Sequence, residues 1–247
     1  MSEMVCEIEN LRIYSPAGDP LVKGVSFSLA AGETLGLVGE SGSGKTLTLK
    51  SVIGLLPRGI SARTQKRQVT EETAMIFQNP MSSLDPLCPV FRQLCEVIRI
   101  RQKVSRMEAR RRGAQLLHRL SLPESLMRKD RYPGELSGGQ CQRILIAIAL
   151  ACSPRLLLCD EPTTALDVTV QKQTIELIRN LQKELGFAMI FVTHNLAVAS
   201  LLCERLAVMR DGEIIETGTR REILKNPQHA YTKKLTGAIL DIPGREA

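Results

Sequence analysis

The sequence predicts an α/β fold: a mixed-sheet core with an antiparallel β part at its N-terminal end and an inserted α-helical subdomain. Three observations predict it. From residue 136 onward, short apolar runs alternate with helical patterns, as parallel strands covered on both faces do. Residues 5–38 read as strands. Between these regions, residues 87–128 are almost wholly helical in pattern.

The elements follow in order. "VCEIENLRIY", "VSFSLA" and "ETLGLVG" carry alternating or continuous apolar residues, with turn signals at Pro16, Gly18 and Gly32. "KTLTLKSVIGLL" has helical spacing and is expected to stop at Pro57, and residues 58–72 are polar and read as irregular. "TAMIF" is a short strand, and the helical insertion is bounded at 87–135. Then come a helix in "GQCQRILIAIALAC", a buried strand in "RLLLCD", a helix in "VTVQKQTIELIRNLQKEL", a buried strand in "AMIFVT" and another helix. "RLAVMR" and "EIIETG", joined by Asp-Gly, form a closing hairpin before a short amphipathic tail. Residues 1–247 are expected to form one domain.

Composition narrows the functional classes. A hydrophobic fraction of 43% and a charged fraction of 24% are ordinary for a globular protein. No stretch approaches the roughly 18 apolar residues that a membrane span requires. "MSEMVCEIEN" lacks the basic patch and apolar run of a secretory signal, so the chain is expected to stay in the cytoplasm. Cys6, Cys88, Cys95, Cys141, Cys152, Cys159 and Cys203 are scattered without a C-x-x-C pair, and read as buried small hydrophobes rather than disulfides or zinc ligands. The net charge of +7 draws on Arg99, Arg101, Lys103, Arg106, Arg110, Arg111 and Arg112. Such a run suits nucleic acid, an anionic membrane surface or plain solubility, and is read here as a solvated helix face. With three Tyr, five Phe and no Trp there is little material for stacking bases, so no nucleic-acid partner is expected.

Two motifs carry chemistry. "GESGSGKT", residues 39–46, follows an apolar strand and opens a helix, as a phosphate-binding loop must. Gly39, Gly42 and Gly44 let backbone N–H groups converge on phosphate oxygens, Lys45 reaches the β- and γ-phosphates, and the Thr46 hydroxyl can ligate Mg²⁺. In "RLLLCDEP" an apolar strand ends in Asp160, whose carboxylate can hold the shell of the same Mg²⁺. Glu161 follows, the natural group to orient or deprotonate an attacking water. "GELSGGQCQR", residues 134–143, looks like a second phosphate cradle, which a single site does not need.

Together these residues resemble the ATP-binding cassette (ABC) ATPases, which implies the P-loop NTPase ABC fold, with ATP and Mg²⁺ as ligands. Further motifs stand in that family's order. Tyr14 lies where an aromatic stacks on adenine, Gln78 in "IFQNP" where the Q-loop reaches Mg²⁺, "LSGGQ" (136–140) at the signature, "TALD" (164–167) at the D-loop, and His194 in "VTHN" at the switch histidine. The resemblance implies two subunits joined head to tail. ATP held by Gly39, Glu40, Ser41, Gly42, Ser43, Gly44, Lys45 and Thr46 of one is then closed over by Ser137, Gly138, Gly139, Gln140 and Asp167 of the other. Glu161, His194 and Gln78 are the implied catalytic set.

A narrower resemblance lies in "GLLP", "IFQNPMSSLDP", "DEPTTALDVTVQ" and "NPQHAYTKKL", which are similar to the ATPase subunits of oligopeptide, dipeptide and nickel importers, of the first of their two types. It implies a heterodimer with a second ATPase subunit and two transmembrane permease subunits docking on the helical block. A periplasmic or extracellular substrate-binding protein would act indirectly. The chain would be peripheral, on the cytoplasmic face of the cell (inner) membrane. Departures are the shortened arm 58–72, Cys141 after the signature, and Asn195, which keeps a helix cap but loses a charge where Asp is usual. The ending "LDIPGREA" lacks the cysteine-rich extension of many peptide importers, which inclines the resemblance toward nickel or a nickel chelate, with peptides as the alternative. A soluble ABC ATPase acting on nucleic acid or ribosomes would carry paired cassettes or long coiled coils, and neither pattern is present. A module that binds ATP without turnover would have a damaged catalytic set, whereas Glu161 and His194 are intact.

Overall fold

The computed structural model of the protein describes residues 3–164 and 166–240. The chain divides into two units, Met1–Glu71 with Gly186–Ala247, and Glu72–Leu185. In chain order the first unit contributes β1 (Met4–Tyr14), β2 (Pro20–Ala30), β3 (Thr34–Val38), α1 (Lys45–Val52), β4 (Ser61–Arg63) and β5 (Lys66–Val69). The second contains β6 (Thr73–Ile76), α2 (Pro80–Ser83), α3 (Val90–Gln102), α4 (Arg106–Arg119), α5 (Ser125–Arg128), a 3₁₀ turn (Pro133–Glu135), α6 (Gly138–Ala151), β7 (Leu156–Asp160) and α7 (Val168–Leu185). The chain then returns to the first unit with β8 (Ala188–Thr193), α8 (Leu196–Leu202), β9 (Arg205–Arg210), β10 (Glu213–Thr219), α9 (Arg220–Lys225) and α10 (Ala230–Leu240).

In the first unit β1 pairs antiparallel with β2 across a bulge: Ile8 faces Phe27 and Leu11 faces Val25. Asn10, at φ 51°, absorbs the extra residue and donates its N–H to Ser26 Oγ at 2.9 Å. The other edge of β1 takes β4 and β5, with Tyr14 opposite Ser61 and Cys6 opposite Val69. This corrects the reading of residues 58–72 as irregular. Nearly every side chain of these two short strands is exposed, so no apolar alternation betrays them. Backbone pairing holds them, with a Lys66–Glu7 ion pair at 2.6 Å.

The inner sheet of this unit is ordered β10-β9-β3-β8, with β3 parallel to both β8 and β9 and β10 antiparallel through the Asp211–Gly212 turn. β3 and β8 are buried along their whole length, which is why they read as unbroken apolar runs. The helix after the glycine loop ends at Val52, short of Pro57, because Gly54 enters the left-handed region at φ 73° and Leu55 N–H returns to the Lys50 carbonyl at 2.9 Å.

In the second unit β6 and β7 run parallel, with Ile76 opposite Cys159. α6 is apolar on almost every face because it packs on α3, α4, β6 and α7 at once. α3 and α4 are amphipathic, burying Val90, Phe91, Leu94 and Ile98 from one and Ala109 and Leu117 from the other. Three of the seven cations of the basic run are engaged by neighbouring groups. Arg111 and Arg112 hydrogen-bond Glu108 and hold its carboxyl down at about 2, and Arg110 lies 5.3 Å above the Phe91 ring. Cys6, Cys141, Cys159 and Cys203 are buried as expected, whereas Cys88 in the loop before α3, Cys95 on α3 and Cys152 at the end of α6 are only half-buried.

Candidate functional site

β3 delivers the chain to Gly39, where a side chain is impossible: a Cβ there would lie 2.0 Å from the Met209 carbonyl oxygen. The loop ends at Gly44, the N-cap of α1, at φ 97° and with no side-chain cap on the helix. Between them, Ser41 and Gly42 are exposed and Ser43 is buried. Lys45 is 4% exposed, and its Nζ donates to the carbonyls of Gly39 at 2.8 Å and Glu40 at 2.7 Å, and to Ser43 Oγ at 3.4 Å. The loop is thus wrapped around its own ammonium group. A glycine turn at a helix N-terminus with a buried cation fits a phosphate chain and little else, because the helix dipole, backbone N–H groups and Lys45 all favour anionic oxygen.

The main chain of Glu40 holds the loop's shape. Its carbonyl also accepts from Ser43 N–H at 3.2 Å, and its N–H donates to the Tyr231 hydroxyl at 3.1 Å. Nothing in the periodicity pointed to Tyr231; the available signal was its place in the quoted run "NPQHAYTKKL", as one of three tyrosines in the chain.

Elsewhere in this unit Tyr14, half-buried, closes β1, with the Arg63 guanidinium 5.9 Å from its ring centroid. His194 is exposed immediately after buried β8. Asn195 caps α8, its side-chain oxygen accepting from Ala197 N–H at 3.0 Å and Val198 N–H at 3.3 Å, so the expected cap is present.

In the second unit Asp160 ends β7 at 2% exposure, and its charge adds to burial in pushing the neighbouring Cys159 thiol up. Glu161 sits in the left-handed region at φ 44°, a conformation that costs a non-glycine residue about 1 to 3 kcal/mol and marks a place where the turn is dictated by surroundings. Its Oε2 accepts from the Thr164 hydroxyl at 2.8 Å, a support that the sequence did not reveal. Gln78 is exposed just beyond β6, ahead of Asn79, which caps α2.

As for a metal, no group of three or more His, Cys, Asp or Glu side chains able to hold an ion occurs among the described residues. Oxygen donors are present in each unit: the Thr46 hydroxyl in the first, and the Asp160 carboxylate and the Gln78 amide in the second. Each of these is a hard oxygen of the kind that Mg²⁺ takes.

The "LSGGQ" loop follows the 3₁₀ turn and opens α6. Ser137 Oγ accepts from Gln140 N–H at 3.2 Å while Gln140 Oε1 accepts from Ser137 N–H at 3.1 Å, a complete capping box. The donors this loop can offer outward are therefore the Ser137 hydroxyl and the N–H groups of Gly138 and Gly139. A Cβ on Gly139 would meet Val170 Cγ1 at 2.7 Å, so glycine lets α7 approach. Asp167 caps that helix, accepting from Val170 N–H at 2.9 Å; Ala165 of "TALD" lies outside the described residues. Cys141 faces inward, 0% exposed, with its thiol against the Pro133 carbonyl at 3.5 Å and pushed up by burial.

The structure therefore joins Gly39–Thr46 with Tyr231 in the first unit. In the second it joins Glu161, next to Asp160 at the end of β7, with Thr164, and Ser137–Gln140 with Leu166–Val170.

Residues 22–164 match the family model described as ABC transporter. The chain is 43% identical, over 95% of its own length, to the glutathione import ATP-binding protein GsiA of Shigella dysenteriae, of which it spans 42%. It is 42% identical, over 91% of its length and 68% of the relative's, to the oligopeptide transport ATP-binding protein OppD of Bacillus subtilis. Among solved structures, cbiO1 of Clostridium perfringens, part of the ABC transporter complex cbiONQ, superposes with a TM-score of 0.77 at 26% identity, over 98% of this chain and 96% of that one. The ATP-binding cassette MJ0796, a dimer in a post-hydrolysis state with ADP and Pi, superposes with a TM-score of 0.73 at 26% identity, over 88% and 99%. The matched sequence, the glycine loop on β3 and α1, and the shared fold make this chain a member of the ABC transporter family.

Proposed function

We propose that the chain is the ATP-hydrolysing subunit of an ABC importer, residues 1–247 forming one nucleotide-binding domain that works as half of a pair. The observation that carries this reading is the buried Lys45 ammonium, held by the Gly39 and Glu40 carbonyls inside a glycine loop at a helix N-terminus. Phosphate oxygens compete for that ammonium and draw it off the carbonyls onto the β- and γ-phosphates. Tyr14 is assigned to the adenine, and Thr46, Asp160 and Gln78 to Mg²⁺, which when bound neutralises charge on the β- and γ-oxygens.

Glu161 orients the attacking water and takes its proton as the water oxygen bonds to the γ-phosphorus and the bond to the bridging oxygen breaks, leaving ADP and phosphate. Thr164 keeps that carboxylate turned in place. His194 is assigned to the γ-phosphate. Ser137, Gly138, Gly139, Gln140 and Asp167 are assigned to the nucleotide of the partner subunit, so that ATP holds the pair closed and hydrolysis releases it. The dimeric, ADP- and phosphate-bound relative supports this arrangement. Glu161→Gln is expected to lower hydrolysis by about 10² to 10⁴ while ATP still binds, the usual effect of losing a general base. Steady-state phosphate release at the wild-type rate in that variant would sink the assignment.

For cargo, the glutathione and oligopeptide roles in the relatives' names support a short peptide over nickel. The inclination toward nickel rests on the ending "LDIPGREA", residues 240–247, of which 241–247 lie outside the described residues. No described helix is long and apolar enough to cross a membrane. Attachment to the cytoplasmic face is assigned to two permease subunits, alongside a second ATPase subunit, with a substrate-binding protein acting indirectly. A half-open cavity of about 400 Å³ between α3, α4 and α5, walled by Phe91, Cys95, Arg99, Arg106 and Arg110, supports permease docking on the helical block. Calorimetry of the associated substrate-binding protein against glutathione, short peptides and Ni²⁺ decides the cargo: heat with Ni²⁺ alone overturns the peptide reading.

A further inference from the structure

We propose that Tyr231 is a positioning residue for ATP: its hydroxyl holds the second residue of the phosphate loop in the binding conformation from the C-terminal helix. The inference rests on the reading of this loop as an ATP site. Glu40 is fastened at both of its main-chain groups, its N–H by the Tyr231 hydroxyl at 3.1 Å and its carbonyl by Lys45 Nζ at 2.7 Å. The two fastenings behave differently when phosphate arrives. Lys45 leaves the carbonyl for the phosphate, because a cation prefers an anionic oxygen to a neutral one. The Tyr231 bond has no reason to break, and becomes the side-chain tether that keeps Glu40 in place. Loss of the hydroxyl therefore costs the loaded loop more than the empty one, and the cost appears as weaker binding.

Tyr231 is well held for such work. The ring is 6% exposed, and the Arg210 guanidinium lies 4.9 Å from its centroid. Its own N–H donates to His229 Nδ1 at 3.1 Å. The preceding loop is pinned by the Glu216 carboxylate, which accepts from Gln228 N–H at 2.7 Å and His229 N–H at 3.0 Å. "NPQHAYTKKL" is thus an anchored arm: Glu216 and His229 fix the start of α10, and α10 delivers one hydroxyl to a residue 191 positions earlier. Burial, with the Glu40 carboxylate nearby, pushes the phenol up and keeps its proton on.

The test is Tyr231→Phe, which keeps the ring against Arg210 and removes only the hydroxyl. In the chain of residues 1–247, titration with a fluorescent ATP analogue is expected to give a Kd raised about tenfold, the size of one hydrogen bond's loss. The KM for ATP should rise with it, kcat should stay within about twofold, and the nucleotide-free unfolding temperature should stay within about 2 °C. Hydrogen exchange of the Glu40 amide should accelerate in the variant. Unchanged affinity, or an affinity loss accompanied by a fall of more than about 5 °C in unfolding temperature, overturns the proposal. Wild-type protein that binds no ATP would instead overturn the ATPase reading, and the Glu40 exchange rate would still decide whether the tether exists.

Discussion

The chain carries two glycine loops that each open a helix, and they are built on opposite principles. "GESGSGKT" rises from a fully buried strand, closes around a buried lysine, and leaves its helix without a side-chain cap. "LSGGQ" follows a single 3₁₀ turn, contains no cation, and caps its own helix twice over through Ser137 and Gln140. The first loop supplies charge and curvature and can hold a phosphate chain by itself. The second is self-satisfied and leaves the Ser137 hydroxyl and the N–H groups of Gly138 and Gly139 to face outward, in keeping with the proposed role of closing over a partner's nucleotide. Sequence similarity between glycine loops therefore says little about what each binds; the capping and the cation decide.

The largest expected effect separates the two loops outright. Lys45→Ala should abolish ATP binding, whereas Ser137→Arg should leave binding on the same chain intact and abolish hydrolysis, measured by nucleotide titration beside phosphate release. Loss of binding in Ser137→Arg would put both loops in one chain's site and break the comparison.

Next come the glycines. Gly39→Ala drives a Cβ against the Met209 carbonyl and should cost about 3 kcal/mol in denaturant unfolding, near the upper end for overpacking. At Gly138 a Cβ would lie 3.7 Å from Leu166 Cδ2, ordinary contact, so Gly138→Ala should leave stability within about 1 kcal/mol. Equal costs at the two positions would show that the first loop is not the tightly walled one.

A smaller effect tests the cap. Ser137→Ala removes the acceptor for Gln140 N–H and should cost about 1 kcal/mol, or roughly 2 to 4 °C in Tm, with ATP affinity unchanged.

The smallest concerns the arm behind the first loop. Burial alone would raise the Glu216 carboxyl, but the N–H groups of Gln228 and His229 hold it below the usual range. A carboxyl depressed in this way stabilises the fold above its unfolded pKa of about 4.3, and that contribution disappears as pH falls through the folded value. Glu216→Gln should therefore lower Tm slightly at pH 7, and the gap from wild type should narrow on acidification. A gap that widens in acid would show that the carboxylate is not what pins the arm.

Much of this was legible from residue order alone. β3, β7 and β8 announce themselves as unbroken apolar runs because both of their faces are covered, and Asp211–Gly212 marks its hairpin because few residue pairs accept that turn. Gly39–Thr46, Asp160 and Glu161 were legible because their chemistry needs fixed residue types at fixed offsets from a strand end. β4 and β5 were not, since edge strands held by backbone pairing carry no side-chain period. The helix stop at Gly54 was hidden behind the louder signal of Pro57. Cys141 stood out as a departure after the signature, yet its side chain points into the protein at Pro133, away from the rim that the loop presents.

Sequence by itself determined which groups exist and which local frame each is set in: a lysine after a glycine turn, two carboxylates at a strand end, a serine and glutamine three apart at a helix start. Those are short-range facts, set by covalent spacing and by the period of strand and helix. Only the tertiary structure decided where those groups are tied. The Lys45 ammonium turns back on its own loop, Glu161 leans on Thr164, and the Glu40 amide is held by Tyr231 from the C-terminal helix. Such contacts join residues whose separation along the chain carries no periodic signal. They exist because polar groups take partners wherever packing brings one within reach, and where they are buried, as the Lys45 ammonium is, they must.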